Sequence, residues 1–191
     1  MKSVVTRRGD GIVPLSKLVV GDEILVSSDT GSLMFDVVIG FLHWSDESTK
    51  HAFIELKNDT GGVLSIHRDH LLPVNSGSYI RASEVKIGDT VSTVWIDGTL
   101  VNSSIIDIVP VSEQNGLCCP LTKSGRIIVD SVVCSCYSPP QNLINVSHNT
   151  CHTVMAPIRY TYTPATSVKN VNGVHPYAKF LMTLVSGMIF D

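Results

Sequence analysis

No stretch of this chain reaches the ~18 consecutive apolar residues that a membrane-spanning helix needs. Its first ten residues, MKSVVTRRGD, set Arg7, Arg8 and Asp10 where a signal peptide would be apolar. A basic patch is missing too: 14 Lys and Arg stand against 17 Asp and Glu, scattered, for a net charge of −3. That balance gives nucleic acid no electrostatic footing, so no nucleic-acid partner is expected. Charged residues make up only 16% while 43% are hydrophobic, which excludes a disordered chain and lets 191 residues bury one sizeable core. The five cysteines (Cys118, Cys119, Cys134, Cys136, Cys151) are an odd number bunched late in the chain, not the spread pairs of a disulfide framework. Neither Cys118-Cys119 nor Cys134-x-Cys136 has the spacing of a zinc ribbon. Sequons at Asn58, Asn102 and Asn145 permit a secretory history but, in a chain rich in Asn, Ser and Thr, do not establish one.

What is present reads as short strands. Ile24 to Val26, Phe35 to Leu42, Ala52 to Leu56, Val63 to His67, Thr90 to Ile96 and Ser104 to Val111 are rich in β-branched and aromatic residues. Turn-forming clusters such as SSDTGS, KNDTGG and IDGT separate them. No helical period of useful length precedes the C-terminus, so the fold class is all-β.

The strands repeat. Leu18 to Leu25 reads LVVGDEIL and Val85 to Ser92 reads VKIGDTVS; sixteen residues after each Gly-Asp comes another apolar run, Val37-Val38-Ile39 and Ser104-Ile105-Ile106. A third run follows in each half, GVLSI from Gly62 and GRIIV from Gly125. The order predicts two related β-halves about a pseudo-two-fold axis, with a site where their strands meet. Each Gly-Asp is expected to form a turn, with Gly at positive φ and Asp bonding its own backbone.

From Val146 to Val174 the chain is loop-like, with Pro157 and Pro164. It closes on GVHPYAKFLMTLVSGMIF, where Tyr177, Phe180, Leu181, Leu184 and Met188 fall at helical spacing. Such a helix packs on the body or contacts lipid at an interface, so membrane contact through this segment is an open alternative.

Two runs end in residues able to do chemistry: VLSIHRDHLLPV carries His67 and His70, and GRIIVDSVVCSCYS carries Cys134 and Cys136. Together with LVVGDEIL, FLHWS from Phe41, CPLTKSGRIIVDSVVCSCY from Cys119, HTVMAPIRY from His152 and GVHPYAKFL from Gly173, they cover nearly the whole chain. This pattern resembles the C-terminal autoprocessing domain of Hedgehog proteins, the Hint fold shared with inteins. The resemblance implies a pseudo-two-fold Hint domain over residues 1–150. It also implies a C-terminal adduct- or sterol-recognition-like segment over residues 151–191, helical near its end.

Such domains cut the peptide bond before their own first residue, a cysteine that turns the amide into a thioester. A second nucleophile then takes the acyl group. In the family's T-x-x-H block the His is the proton donor; His70 matches it, and His67 stands where the family has Thr. The family's second-step base, an Asp that activates a sterol hydroxyl, is matched by His43. With an ordinary imidazole, transfer by His43 should fade as pH falls through roughly 6–7. Cys136 matches the S-C-Y cysteine that assists processing by exchange or redox coupling. Asp130, Thr122, His152 and Arg159 resemble structural positions, and Asp46 reads as a solvated turn residue.

The initiating Gly-Cys-Phe is not in this sequence; counting back from Gly21, the Cys falls about three residues before Met1. As written the chain is expected to fold without cleaving itself. The resemblance further implies an upstream secreted domain of the same polypeptide as partner, a sterol or other small nucleophile as acceptor, a secretory or extracellular location and no cofactor. An alternative remains open: a non-catalytic binding module with a degenerate site, holding a metal ion through His43, His67, His70 and Cys136, since imidazole and thiolate suit zinc.

Overall fold

The computed structural model describes residues 3–75, 77–141, 143, 146–163 and 172–188, with backbone alone at 111–113 and 184–188. Twelve strands run in order: β1 (Val4–Arg7), β2 (Gly11–Pro14), β3 (Glu23–Ser27), β4 (Leu33–Asn58), β5 (Val63–His67), β6 (Leu71–Val74), β7 (Ser78–Arg81), β8 (Thr90–Val94), β9 (Leu100–Thr122), β10 (Arg126–Val129), β11 (Val132–Ser135) and β12 (Gly173–Val174). Among the described residues three α-helices, α1 (His148–Val154), α2 (Ala156–Thr161) and α3 (Pro176–Met188), belong to the C-terminal part. Ten strands form one sheet ordered β10-β11-β8-β9-β4-β3-β1-β2, with β5 and β12 also pairing on β4, and β6 pairs with β7 apart from it. The chain is all-β with a short helical extension, as its sequence predicts.

The pseudo-two-fold repeat is written in the hydrogen bonds. Asp22 accepts the Val19 N–H on its carboxylate and Asp89 accepts that of Lys86. The Gly21 N–H donates to the Val38 carbonyl and the Gly88 N–H to that of Ile105, each at 2.8 Å. Both glycines have positive φ, +100° and +93°, which an L side chain resists. The hairpins correspond as well: Val4 faces Pro14 and Leu71 faces Arg81, while Glu23 faces Val37 and Thr90 faces Ser104.

Two long strands replace several of the short ones expected. β4 runs for 26 residues and β9 for 23, paired with each other through several bulges. The polar stretch from Asp46 to Lys50 is exposed, yet it stays in β4. A two-stranded arm projecting into solvent has no core face to impose alternation, so its residues look like a turn. Each bulge re-aims the side chains that follow it.

The loop expected after Val146 contains α1 and α2. Ser147 caps α1 by accepting the Thr150 N–H, and Pro157 stands in the first turn of α2, where its missing N–H costs nothing. α1 runs across position 150. α3 turns Ala178, Leu181 and Met182 inward, whereas Phe180 is 57% exposed, so the buried stripe lies beside the one expected. The side chains of Leu184 and Met188 fall outside the described residues. Among those residues no helix is long and apolar enough to cross a membrane. Asn58 is 2% exposed, its amide bonded to Gly62, Thr60 and Thr93, and cannot accept a glycan in this fold. Asn102 is exposed, and Asn145 lies outside the described residues. All five cysteines are free and buried.

Candidate functional site

His70 enters the site from the turn between β5 and β6, where its N–H donates to the His67 carbonyl. Its Nε2 lies 2.7 Å from the Ser135 carbonyl oxygen. A carbonyl only accepts, so Nε2 carries the proton and Nδ1 is left with its lone pair. Burial pushes the His70 pKa down to about 4, with His67 adding to the shift and the Ser135 bond opposing it. His70 is therefore neutral at pH 7. It lines a cavity of about 50 Å³ together with Ser3, His67, Cys134, Ser135 and Cys136. Ser3, the first described residue, thus lines the same cavity as His70.

A second, larger pocket of about 490 Å³ opens between the β-body and the helical extension. Leu42, Leu143, Val146, Val154, Met155, Ala178, Leu181 and Met182 give it apolar walls, and His43, His51 and His67 line it as well. β12 lashes the extension to this spot: Val174 pairs with His43, and the His175 N–H donates to the Leu42 carbonyl. The small cavity and the pocket share His67, Leu117, Cys119 and Cys136 as lining residues.

The three histidines of the pocket touch edge to face. Ring centroids of His43 and His51 are 5.5 Å apart, and those of His51 and His67 are 6.4 Å apart. Ser45 Oγ lies 2.8 Å from His51 Nε2. Burial lowers the pKa of all three, and in His43 the neighbouring His51 and His67 lower it further. His43 therefore keeps its neutral form to a lower pH than a free imidazole does. His51 belongs to no motif; bulges in the β4–β9 pairing between Phe41 and Phe53 bring it beside His43.

Cys136 is 1% exposed, and burial pushes its thiol up to about 11. Its Sγ sits 3.6 Å from Thr122 Oγ1, which donates to the Arg126 carbonyl. At neutral pH Cys136 is a thiol rather than a thiolate, hence a poor nucleophile in this state. Burial raises Cys118, Cys119 and Cys134 in the same direction. The structure brings His67, His70 and Cys136 around the small cavity and His43, His67 and Cys136 around the pocket.

The neighbours read as structural hold this arrangement. Asp130 accepts the Val4 N–H and so anchors the first strand. The Tyr137 hydroxyl pairs with His152 Nδ1 at 2.8 Å, and Arg159 donates to the carbonyls of Lys123 and His152. Asp46 is exposed and bonds to Ser48. Among the described residues, no group of three or more His, Cys, Asp or Glu side chains converges so as to hold a metal ion.

Three kinds of comparison agree on the family and the fold. The model of the Hint module family matches residues 1–189. The chain is 31% identical over 199 residues to the Tiggy-winkle hedgehog protein of Danio rerio, covering 95% of this chain and 46% of that protein. With the protein hedgehog of Drosophila virilis it shares 31% identity over 155 residues, 78% of this chain and 31% of that protein. The chain thus spans less than half the length of these relatives. Among solved structures, a DnaB intein from Synechocystis superposes with a TM-score of 0.60 at 14% identity, covering 70% of this chain and 94% of the intein. A bacterial intein-like domain from Clostridium thermocellum gives 0.58 at 14%, covering 71% and 99%. At such identities these two likenesses speak for the fold alone.

Proposed function

The chain belongs to the Hint module family, in its Hedgehog-type branch, and on that premise we propose that it is a self-processing domain that severs the peptide bond at its upstream junction through a thioester. One observation carries the reading: Ser3 and His70 line the same small cavity. A cysteine preceding Met1 would supply the nucleophile. Its sulfur bonds to the carbonyl carbon of the residue before it, and the C–N bond breaks. The thiol proton passes through His70 Nδ1 to the departing nitrogen, so the products are a thioester and a free amine. A buried imidazole of low pKa gives up that proton readily to an amine. Proximity of thiol and carbonyl supplies up to ~7–11 kcal/mol of the barrier, which a distant cysteine cannot.

His67 takes the part of the family's threonine as donor to the developing oxyanion. Its Nδ1 accepts the Asp69 N–H at 3.4 Å, which leaves the proton on Nε2. The acceptor of the second step lies in the apolar pocket, where His43 takes the proton of its hydroxyl as oxygen displaces sulfur. Apolar walls and an imidazole suit a sterol or a similar hydroxylated lipid. Cys136, shared by both cavities, assists as a thiol donor. The released partner is an upstream secreted domain of the same polypeptide, and processing takes place in the secretory pathway. Residues 1–150 are the self-processing unit in this reading, with 151–191 closing the acceptor pocket.

A carrier protein joined through Gly-Cys-Phe to this chain tests the proposal. Dithiothreitol should release the carrier, His70→Ala should not, and a folded fusion that releases nothing would contradict the reading.

A further inference from the structure

His148 lines neither cavity, yet it is 3% exposed in helix α1. Its ring stacks on Tyr79 at 4.1 Å and 18°, and runs nearly parallel to His152 at 5.8 Å. Its Nδ1 lies 3.0 Å from Ser135 Oγ. That hydroxyl already accepts the Tyr137 N–H at 3.0 Å, so its own proton is free for His148. Burial brings the His148 pKa down to about 4, with Arg126, His152 and Arg159 adding to the shift and Asp29 opposing it. The ring is therefore neutral at pH 7, and its Nε2–H tautomer presents the Nδ1 lone pair to the Ser135 hydroxyl. Ser135 is fully buried, and its carbonyl receives the Nε2–H of His70. The Tyr137 carbonyl accepts the N–H of Leu71, the residue after His70. Every polar group of the Ser135–Tyr137 segment named here thus bears on His70 or on what holds it.

We propose that His148 is a positioning residue for His70: by holding the Ser135 side chain it fixes the peptide that receives His70 Nε2–H, and so the direction of Nδ1. This rests on His70 being the proton-handling group of the first step. Helix α1 then contributes to thioester formation, and not only to the wall of the acceptor pocket.

Two readouts test it. In the carrier fusion, His148→Phe keeps a ring to stack on Tyr79 but removes the acceptor; thiol-induced release should slow by on the order of tenfold to a hundredfold, the range expected for a misplaced catalytic group. His148→Asn places an amide oxygen near the former Nδ1 and should recover most of the rate. In the 191-residue chain itself, nitrogen NMR of the imidazoles should show His70 as the Nε2–H tautomer, with its signals shifted by His148→Phe and retained in His148→Asn. Ser135→Ala, which keeps the carbonyl but loses the hydroxyl, should repeat the His148→Phe shift should that variant not fold. Unchanged His70 signals and unchanged release in the folded variants would overturn the proposal. A parent fusion that releases no carrier would sink the reading of His70, while the His70 spectra would still decide the positioning.

Discussion

Ser3 and His70 are counterparts in the two halves of the molecule. The Ser3 carbonyl accepts the Leu15 N–H and the His70 carbonyl accepts the Ala82 N–H, both at 2.8 Å, and Leu15 and Ala82 each open a one-turn 3-10 helix. Each counterpart immediately precedes the first strand of its half, β1 or β6. The pseudo-two-fold axis therefore brings Ser3 and His70 to one cavity.

Acid should weaken this fold through its neutral histidines. In the unfolded chain His70 and His148 bind a proton near pH 6.5, whereas in the folded chain they do so only near 4. The unfolded state holds more protons in that window, so stability is full above about 6.5 and is lost as pH falls towards 4. For His70 the loss is on the order of 3 kcal/mol. Urea unfolding at pH 7 and pH 5 should show a smaller stability difference for His70→Gln than for the parent; equal differences would contradict this.

Gly125→Ala should destabilise by more than about 2 kcal/mol. Gly125 has φ +71°, and a Cβ there would stand 2.6 Å from His152 Nδ1 and 2.7 Å from the Tyr137 hydroxyl oxygen. The two neighbours are hydrogen-bonded to each other, so either one moving alone breaks that bond. Thermal melting reads the effect, and an unchanged Tm would refute it.

The native thiols should resist alkylation. Burial raises all five, Cys136 and Cys151 to about 11, so the thiolate fraction at pH 7.5 is very small. Mass spectrometry after iodoacetamide should find essentially no label without denaturant and five labels with it. Rapid labelling of Cys136 in the folded chain would argue for the exchange role over that of a thiol donor. Cys134→Ser should leave thioester formation nearly unchanged.

Acyl transfer should survive into mild acid. Since burial, His51 and His67 keep His43 neutral below pH 6.5, the second step loses its base only below that pH. His51→Phe removes one neighbouring charge and should raise the midpoint of the rate against pH. A midpoint unchanged or lowered in His51→Phe would count against the histidine cluster as the determinant. Mass measurement of carrier released with and without sterol follows the step; His43→Asp should increase the sterol-bearing fraction.

Much of this was legible in the sequence. The Gly-Asp turns announced themselves through residues with a single local use, and the motif around His67 and His70 pointed to the cavity. His51 was hidden because its place beside His43 depends on strand bulges, which carry no composition of their own. His148 was hidden because α1 is seven residues long, too short for a period to show. The 26-residue run of β4 read as two strands because its exposed arm has no buried face to alternate against.

The central claim is that the cavity joining the chain start to His70 makes a thioester at the upstream junction. The intact mass of carrier released by dithiothreitol from the Gly-Cys-Phe fusion tests it most directly. The account predicts a carrier ending in Gly and bearing one dithiothreitol adduct, with none from the His70→Ala fusion. Release of an unmodified carrier at equal rates with and without His70, or no release from a folded fusion, would contradict it.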